Sequence, residues 1–164
     1  MKFTHLDSAG QARMVDVTDK QPTKRAATAS ATVVCDPEIL RRIASGEMPK
    51  GDVLAVARIA GIAAAKRTPE LLPLAHVIGV HGAAVDLTLG PESIEVVATV
   101  RTADRTGVEM EALTAATVAG LAIVDMVKGV DRGVELREAR VVAKSGGRSG
   151  DWVRGDRGDR GDVA

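Results

Sequence analysis

Aromatic residues are almost missing from this chain. Among 164 residues there is one Trp, one Phe and no Tyr. Hydrophobic residues still make up 45% of the sequence, so a core must be built from Ala, Val, Leu and Ile. Small side chains bury little area each, and a lone domain of this kind gains little hydrophobic stabilisation per residue. Burial through self-association is one physical answer. Cysteine is nearly absent as well. Cys35 stands alone, which excludes an intrachain disulfide and a Cys-based zinc cluster. Neither sign of charge dominates: 22 Lys and Arg balance 22 Asp and Glu. A formal net charge of zero argues against bulk electrostatic binding to nucleic acid or to an anionic membrane. No apolar run approaches the roughly 20 residues needed to span a bilayer. The start, Met1-Lys2-Phe3-Thr4-His5, has no apolar signal-peptide core. These absences predict a cytoplasmic protein with neither a nucleic-acid nor a membrane partner.

The length suits one domain of roughly 100–150 residues with tails. Residues 1–30 are polar and mixed, and read as an extended arm with weak local preference. Asp36-Pro37-Glu38 is a helix start: an N-cap, a proline at the first helical position and an acid in the first turn. Gly46 closes that helix. Asp52 caps a second, Ala-rich helix that runs to about Arg67, with Gly61 inside it, and Thr68-Pro69 stops it. Val77–Leu89 and Ser93–Arg105 alternate apolar and polar residues around Gly90-Pro91, as a hairpin does. A long helix follows from about Met110 to Val130, then a strand from Val134 to Lys144 and a Gly/Ser loop from Ser145 to Gly150. This order predicts an α+β fold with helices on one face of an antiparallel sheet. Residues 153–164 repeat Arg-Gly-Asp three times with little to bury, so they are expected to be a disordered tail beyond a single domain at 1–152.

Four ionisable groups stand on an otherwise apolar, Ala-rich frame. Asp125 and Lys128 are at i and i+3, hence on one helix face, among Ile123, Val124, Met126 and Val127. By spacing alone such a pair is an ordinary surface ion pair. The apolar neighbours raise the case for an acid/base pair with shifted pKa values. Glu109 and Glu111 are two apart. They share a side if the segment is extended and diverge by ~200° if it is helical. By themselves they also suit the N-terminus of the next helix. His76 follows Leu74-Ala75 where a strand is expected to start. Lys50, Lys66, Arg67, Lys144 and Arg148 are the basic groups nearby. The Lys144–Gly150 loop can present backbone N–H groups to phosphate as a nest, although its spacing is not that of a Walker A motif.

Several motifs together carry a resemblance: Lys50-Gly51-Asp52-Val53, Ala57-Arg58-Ile59-Ala60-Gly61, Ala65-Lys66-Arg67-Thr68, Thr106-Gly107-Val108-Glu109-Met110-Glu111-Ala112-Leu113-Thr114-Ala115-Ala116-Thr117, Asp125-Met126-Val127-Lys128 and Ala143-Lys144-Ser145-Gly146-Gly147-Arg148-Ser149-Gly150-Asp151. From about residue 4 to residue 152 the chain resembles the molybdenum-cofactor biosynthesis protein C family, the cyclic pyranopterin monophosphate synthases. The resemblance implies a ferredoxin-like fold and a hexamer built as a trimer of dimers. It implies a lyase that turns 3′,8-cyclo-7,8-dihydroguanosine triphosphate into cyclic pyranopterin monophosphate and pyrophosphate. No cofactor and no metal are expected for this chemistry. By resemblance Asp125, Lys128, His76 and Lys50 are catalytic. Leu74, Ala75, His76, Glu109, Met110, Glu111 and Lys144 bind substrate. The family carries Leu-Cys-His-Pro where this chain reads Leu74-Ala75-His76-Val77, so Leu74 and Ala75 carry over only through their backbone. The alternative resting on that departure is a non-catalytic homologue that binds a nucleotide or a partner protein.

Overall fold

The computed structural model of the chain describes residues 6–7 and 9–155. β1 (Thr23–Val34) comes first, followed by α1 (Pro37–Ser45), α2 (Val53–Ala65) and the single turn α3 (Thr68–Leu71). β2 (Gly82–Leu89) and β3 (Ser93–Asp104) form a hairpin; α4 (Glu109–Val127), β4 (Glu135–Ser145) and the short β5 (Trp152–Val153) complete the order. The five strands lie in the order β2-β3-β1-β4-β5, and every neighbouring pair is antiparallel. β1 and β2 therefore run parallel with β3 between them, and β3 and β4 run parallel with β1 between them. These are two interlocked split βαβ units, the ferredoxin-like arrangement. α2 and α4 pack on each other and on one face of the sheet. The expected α+β class and its ferredoxin-like form hold.

The caps form as their residues require. The Asp36 carboxylate accepts from the Glu38 amide at 2.7 Å, and Asp52 accepts from the Ala55 amide at 2.9 Å. Gly46 ends α1 with a left-handed φ of 74°. Residues 23–30 differ from expectation, because they belong to β1, the central strand of the sheet, rather than to an arm. Its inward positions are Ala27, Ala29, Ala31 and Val33, all buried. Alanine has little β preference, so this alternation is weak as a sequence signal. The strand is held by its two ladders rather than by its own propensity. Thr68-Pro69 does not simply stop α2: it begins α3, with the proline in the first turn. The hairpin starts at Gly82, five residues later than Val77, and α4 ends at Val127, three residues short of Val130. β5 reaches Val153, one residue past the expected domain end, and the Arg-Gly-Asp repeat from residue 156 lies outside the described residues.

The core is as small-residued as the composition demands. Ala112, Ala115, Ala116, Ala119 and Ile123 of α4 lie fully buried on Ile94, Val96, Ala98 and Val100 of β3 and on the β1 alanines. Small side chains let the helices approach closely. At Gly61 of α2 an added Cβ would meet the Ala115 carbonyl oxygen at 2.8 Å, so this crossing admits no side chain. α4 departs from the sequence reading in one further respect. With 19 residues and a mean hydropathy of 1.6, it is long and apolar enough to cross a bilayer by composition alone. Half of that stretch is buried inside the fold, as in a core helix.

Candidate active site

Every antiparallel ladder places the start of β1, the end of β3 and the end of β4 at one end of the sheet; Thr23 pairs with Asp104, and Ala26 pairs with Ser145. α4 leaves that same end. A cleft of about 610 Å³ opens there, between the loop that carries Leu74, Ala75 and His76 and the first turn of α4 with Glu109, Met110 and Glu111. All six are expected substrate-binding residues, and the fold brings them together. His76 sits in a loop rather than at a strand start.

Glu109 and Glu111 both fall in the first turn of the helix, so they diverge as helical geometry requires. Glu111 turns inward and is 3% exposed. Burial pushes its carboxyl above the ordinary carboxylate value, and the neighbouring Glu109 charge adds to this, while its own backbone amide and His76 oppose it. Glu109 folds back over Gly107, where an added Cβ would collide with the Glu109 carboxylate. His76 Nε2 lies 2.6 Å from the Val15 carbonyl oxygen. A carbonyl only accepts, so this nitrogen carries the hydrogen and the Nδ1 lone pair is left for another partner.

Three wall residues escaped the sequence reading: Val15, Val17 and Lys20. They belong to the stretch before β1, which has no periodicity to single it out. The Lys20 carbonyl accepts from Arg105 Nε at 3.0 Å, which ties this stretch to the end of β3. Arg148, noted in the sequence as one of several basic groups, completes the cationic wall with Lys20. Lys144 stands at the same end on β4, opposite Ala27, and its ammonium donates to the Ser149 hydroxyl. The Gly/Ser loop is not an open nest, because the Asp151 carboxylate accepts from the Gly146 amide at 2.9 Å.

The remaining expected catalytic residues lie at the other end of α4. Lys128 donates to Asp125 Oδ1 at 2.6 Å. Lys50 Nζ donates to the Asp125 backbone carbonyl at 2.7 Å and lies 3.8 Å from Asp125 Oδ2. Two cations thus converge on a carboxylate at the negative end of the helix dipole. The Lys128 hydrogen bond, then the charges of Lys128 and Lys50, hold the Asp125 carboxyl below the ordinary carboxylate value. The apolar setting expected around Asp125 is only half present. Ile123 and Val127 are buried behind it, while its own side chain is 62% exposed.

One chain therefore carries two charged clusters rather than one site. A rise of about 1.5 Å per residue puts Glu111 and Asp125 roughly 21 Å apart along α4. Beside Asp125, one turn back on the same helix face, Leu121 is 52% exposed. Val56 and Ile59 of the adjacent α2 are exposed too, Ile59 to 68%. Three large apolar side chains on this pair of packed helices are thus left in water.

The comparisons with known proteins agree with this geometry. The family model described as MoaC family matches residues 14–147. Similar curated proteins include the cyclic pyranopterin monophosphate synthase of Geobacter metallireducens, 56% identical over 94% of this chain and 98% of its own. That of Chloroflexus aurantiacus is 56% identical over 93% of this chain and 95% of its own. That of Streptomyces coelicolor is 54% identical over 93% and 90%. A match that takes in the His76 loop, both ends of α4 and Lys144, with relatives this close over nearly the whole length, shows that the chain belongs to the MoaC family.

Proposed function

We propose that the chain is a cyclic pyranopterin monophosphate synthase, a lyase of molybdenum-cofactor biosynthesis that works in the cytoplasm. Its substrate is 3′,8-cyclo-7,8-dihydroguanosine triphosphate. The reaction opens and recloses the purine-derived ring, closes a cyclic phosphate and releases pyrophosphate. The observation that carries this reading is the close kinship with synthases over nearly the whole chain, with both charged clusters kept.

The chemistry needs proton transfers at the ring and cations at the phosphates. Asp125, held ionised by Lys128 and Lys50, suits a general base, and Lys128 suits the return of a proton. His76, with Nδ1 free, suits binding or a proton shuttle. The Glu109 and Glu111 carboxylates suit the N–H donors of a guanine-like edge, because each accepts two hydrogen bonds. Met110 and the backbones of Leu74 and Ala75 line the same cleft. Lys144, Lys20 and Arg148 supply positive charge for the triphosphate. Retention of all these groups favours turnover over the non-catalytic alternative.

A gap of roughly 21 Å along α4 is too long for one set of reacting atoms to bridge. We read the working site as shared: the Glu111 end of one copy meets the Asp125 end of another. The exposed Leu121 beside Asp125, with Val56 and Ile59 on α2, supports a subunit contact there. A hexamer, as a trimer of dimers, is the assembly that the family resemblance implies. The test is a turnover assay with the cyclic triphosphate on the purified chain. Formation of the pyranopterin product and pyrophosphate is expected; a folded oligomer without turnover would reject the proposal.

A further inference from the structure

The face of the sheet opposite the helices carries a second recess, of about 360 Å³, at the same end as the cleft. One cross-strand row forms its floor. Ser145 pairs with Ala26, Ala26 with Arg101, and Arg101 with Gly82, across four strands. Ala26 is too small to fill the space between Arg101 and Ser145, and Gly82 beyond Arg101 offers no side chain to close it. Ala103 and Lys24, paired one row further out, extend it, and His81 borders it just before Gly82.

The rim is made of donors. Among the described residues, neither Lys24 nor Arg101 makes an ion pair. His81 Nδ1 accepts from the Ala103 amide at 2.9 Å, so the ring hydrogen sits on Nε2. The Ser145 hydroxyl adds a further donor. Among the described residues, no carboxylate lines the recess. Asp104 neighbours His81, but its oxygens accept from the Arg105 amide at 2.7 Å and the Gly79 amide at 3.2 Å. A guanidinium, an ammonium, an imidazole and a hydroxyl thus belong to residues lining one recess. Such a set suits an anion with several acceptor oxygens better than a flat carboxylate. The volume is at the small end for ligand sites and exceeds the need of one ion.

We propose that this recess is an anion site, separate from the cleft, that takes a phosphate or pyrophosphate group, free or carried on a small organic molecule. It does not depend on the reaction assigned above. The chain has three histidines, His5, His76 and His81, so ring resonances separate the two sites: His76 lines the cleft and His81 borders the recess. The experiment labels the histidine rings of the full-length oligomer and titrates inorganic phosphate, pyrophosphate and a nucleoside monophosphate. His81→Gln and His76→Gln assign the signals. The expected result is a saturable shift of the His81 ring, with affinity reduced tenfold or more in Lys24→Gln/Arg101→Gln and unchanged in Lys144→Gln. The probe that saturates at the lowest concentration tells a free ion from a carried phosphate. Both substituted side chains are exposed, so the double variant is expected to keep the wild-type melting temperature and turnover. A shift confined to His76, no shift with any probe, or an undiminished His81 shift in the folded double variant would overturn the proposal.

Discussion

The two ends of α4 hold carboxylates in opposite electrostatic states. At the first turn Glu111 is buried beside another acid, and burial pushes its carboxyl up. In the last turn Asp125 stands in solvent between two lysines, which pull its carboxyl down. One helix thus presents a carboxyl that resists ionisation at its start and one that is firmly ionised at its end. On the proposed function, a proton-transferring reaction would use both: a buried carboxyl in the cleft to meet donor edges, and an exposed, charged centre to move protons. The rigid Ala-rich body of α4 keeps them apart, so each end can be broken without disturbing the other.

Breaking the far end should have the largest effect. Asp125→Asn keeps the shape but cannot take a proton. Turnover should fall by about 10²–10⁴-fold, the usual worth of a general acid or base, with the melting temperature little changed because the pair is exposed. Steady-state rates beside a thermal melt check this, and near wild-type turnover would remove Asp125 from the mechanism.

Breaking the near end should act on binding first. Glu111→Gln replaces two strong acceptor oxygens with one, and substrate affinity should drop by roughly tenfold or more, as for a hydrogen bond to a charged group. The same variant sharpens the electrostatic contrast. A raised folded pKa means that the native state binds the proton more tightly than the unfolded chain does. Stability should therefore fall as pH rises from the ordinary value of 4.5 through the folded value. Glu111→Gln should flatten that part of a stability–pH curve. Asp125 acts the other way: its contribution is present above its ordinary value of 3.8 and is lost as pH falls through the lowered one. A wild-type curve with no decline above pH 4.5 would count against a strained Glu111.

The connection between the ends can be strained at Gly61. In an ordinary helix interior Gly→Ala gains about 1 kcal/mol. Here the new methyl would meet the Ala115 backbone oxygen at 2.8 Å, so the sign should reverse, to a loss of roughly 1–3 kcal/mol. Chemical denaturation of Gly61→Ala measures it, and a stabilised variant would show that α2 and α4 are free to separate. The smallest effect belongs to the His76 loop. Ala75→Cys with Val77→Pro restores the family's Leu-Cys-His-Pro, narrows the backbone freedom of His76 and adds a weak thiol contact. Affinity or turnover should improve by about 1 kcal/mol or less. Unchanged binding and rate would mean that Val15 already aims the ring.

Much of this was legible in the sequence, and the failures have physical causes. Asp36, Asp52 and Gly46 announced their helix ends because capping is local chemistry. The β2–β3 hairpin was visible in its alternation. β1 was not, because Ala27, Ala29 and Ala31 give alternation without contrast, and only pairing with β3 and β4 makes that segment a strand. The motif residues of the site were legible through their resemblance to a family. Their division into two clusters follows from where α4 begins and ends. Val15, Val17 and Lys20 left no mark in the sequence, because they reach the cleft through an irregular stretch held by one His76 contact and one Arg105 contact.

The shared site is tested most directly by mixing two impaired chains, assayed with substrate well below saturation. Asp125→Asn keeps a sound Glu111 end, and Glu111→Gln keeps a sound Asp125 end. Co-expressed in equal amounts and purified together, they form mixed pairs in which one of the two sites has both ends intact. Random pairing predicts recovery to about a quarter of the wild-type rate, against about a tenth or less for either variant alone. A mixed oligomer no more active than its parents would contradict a site built from two copies.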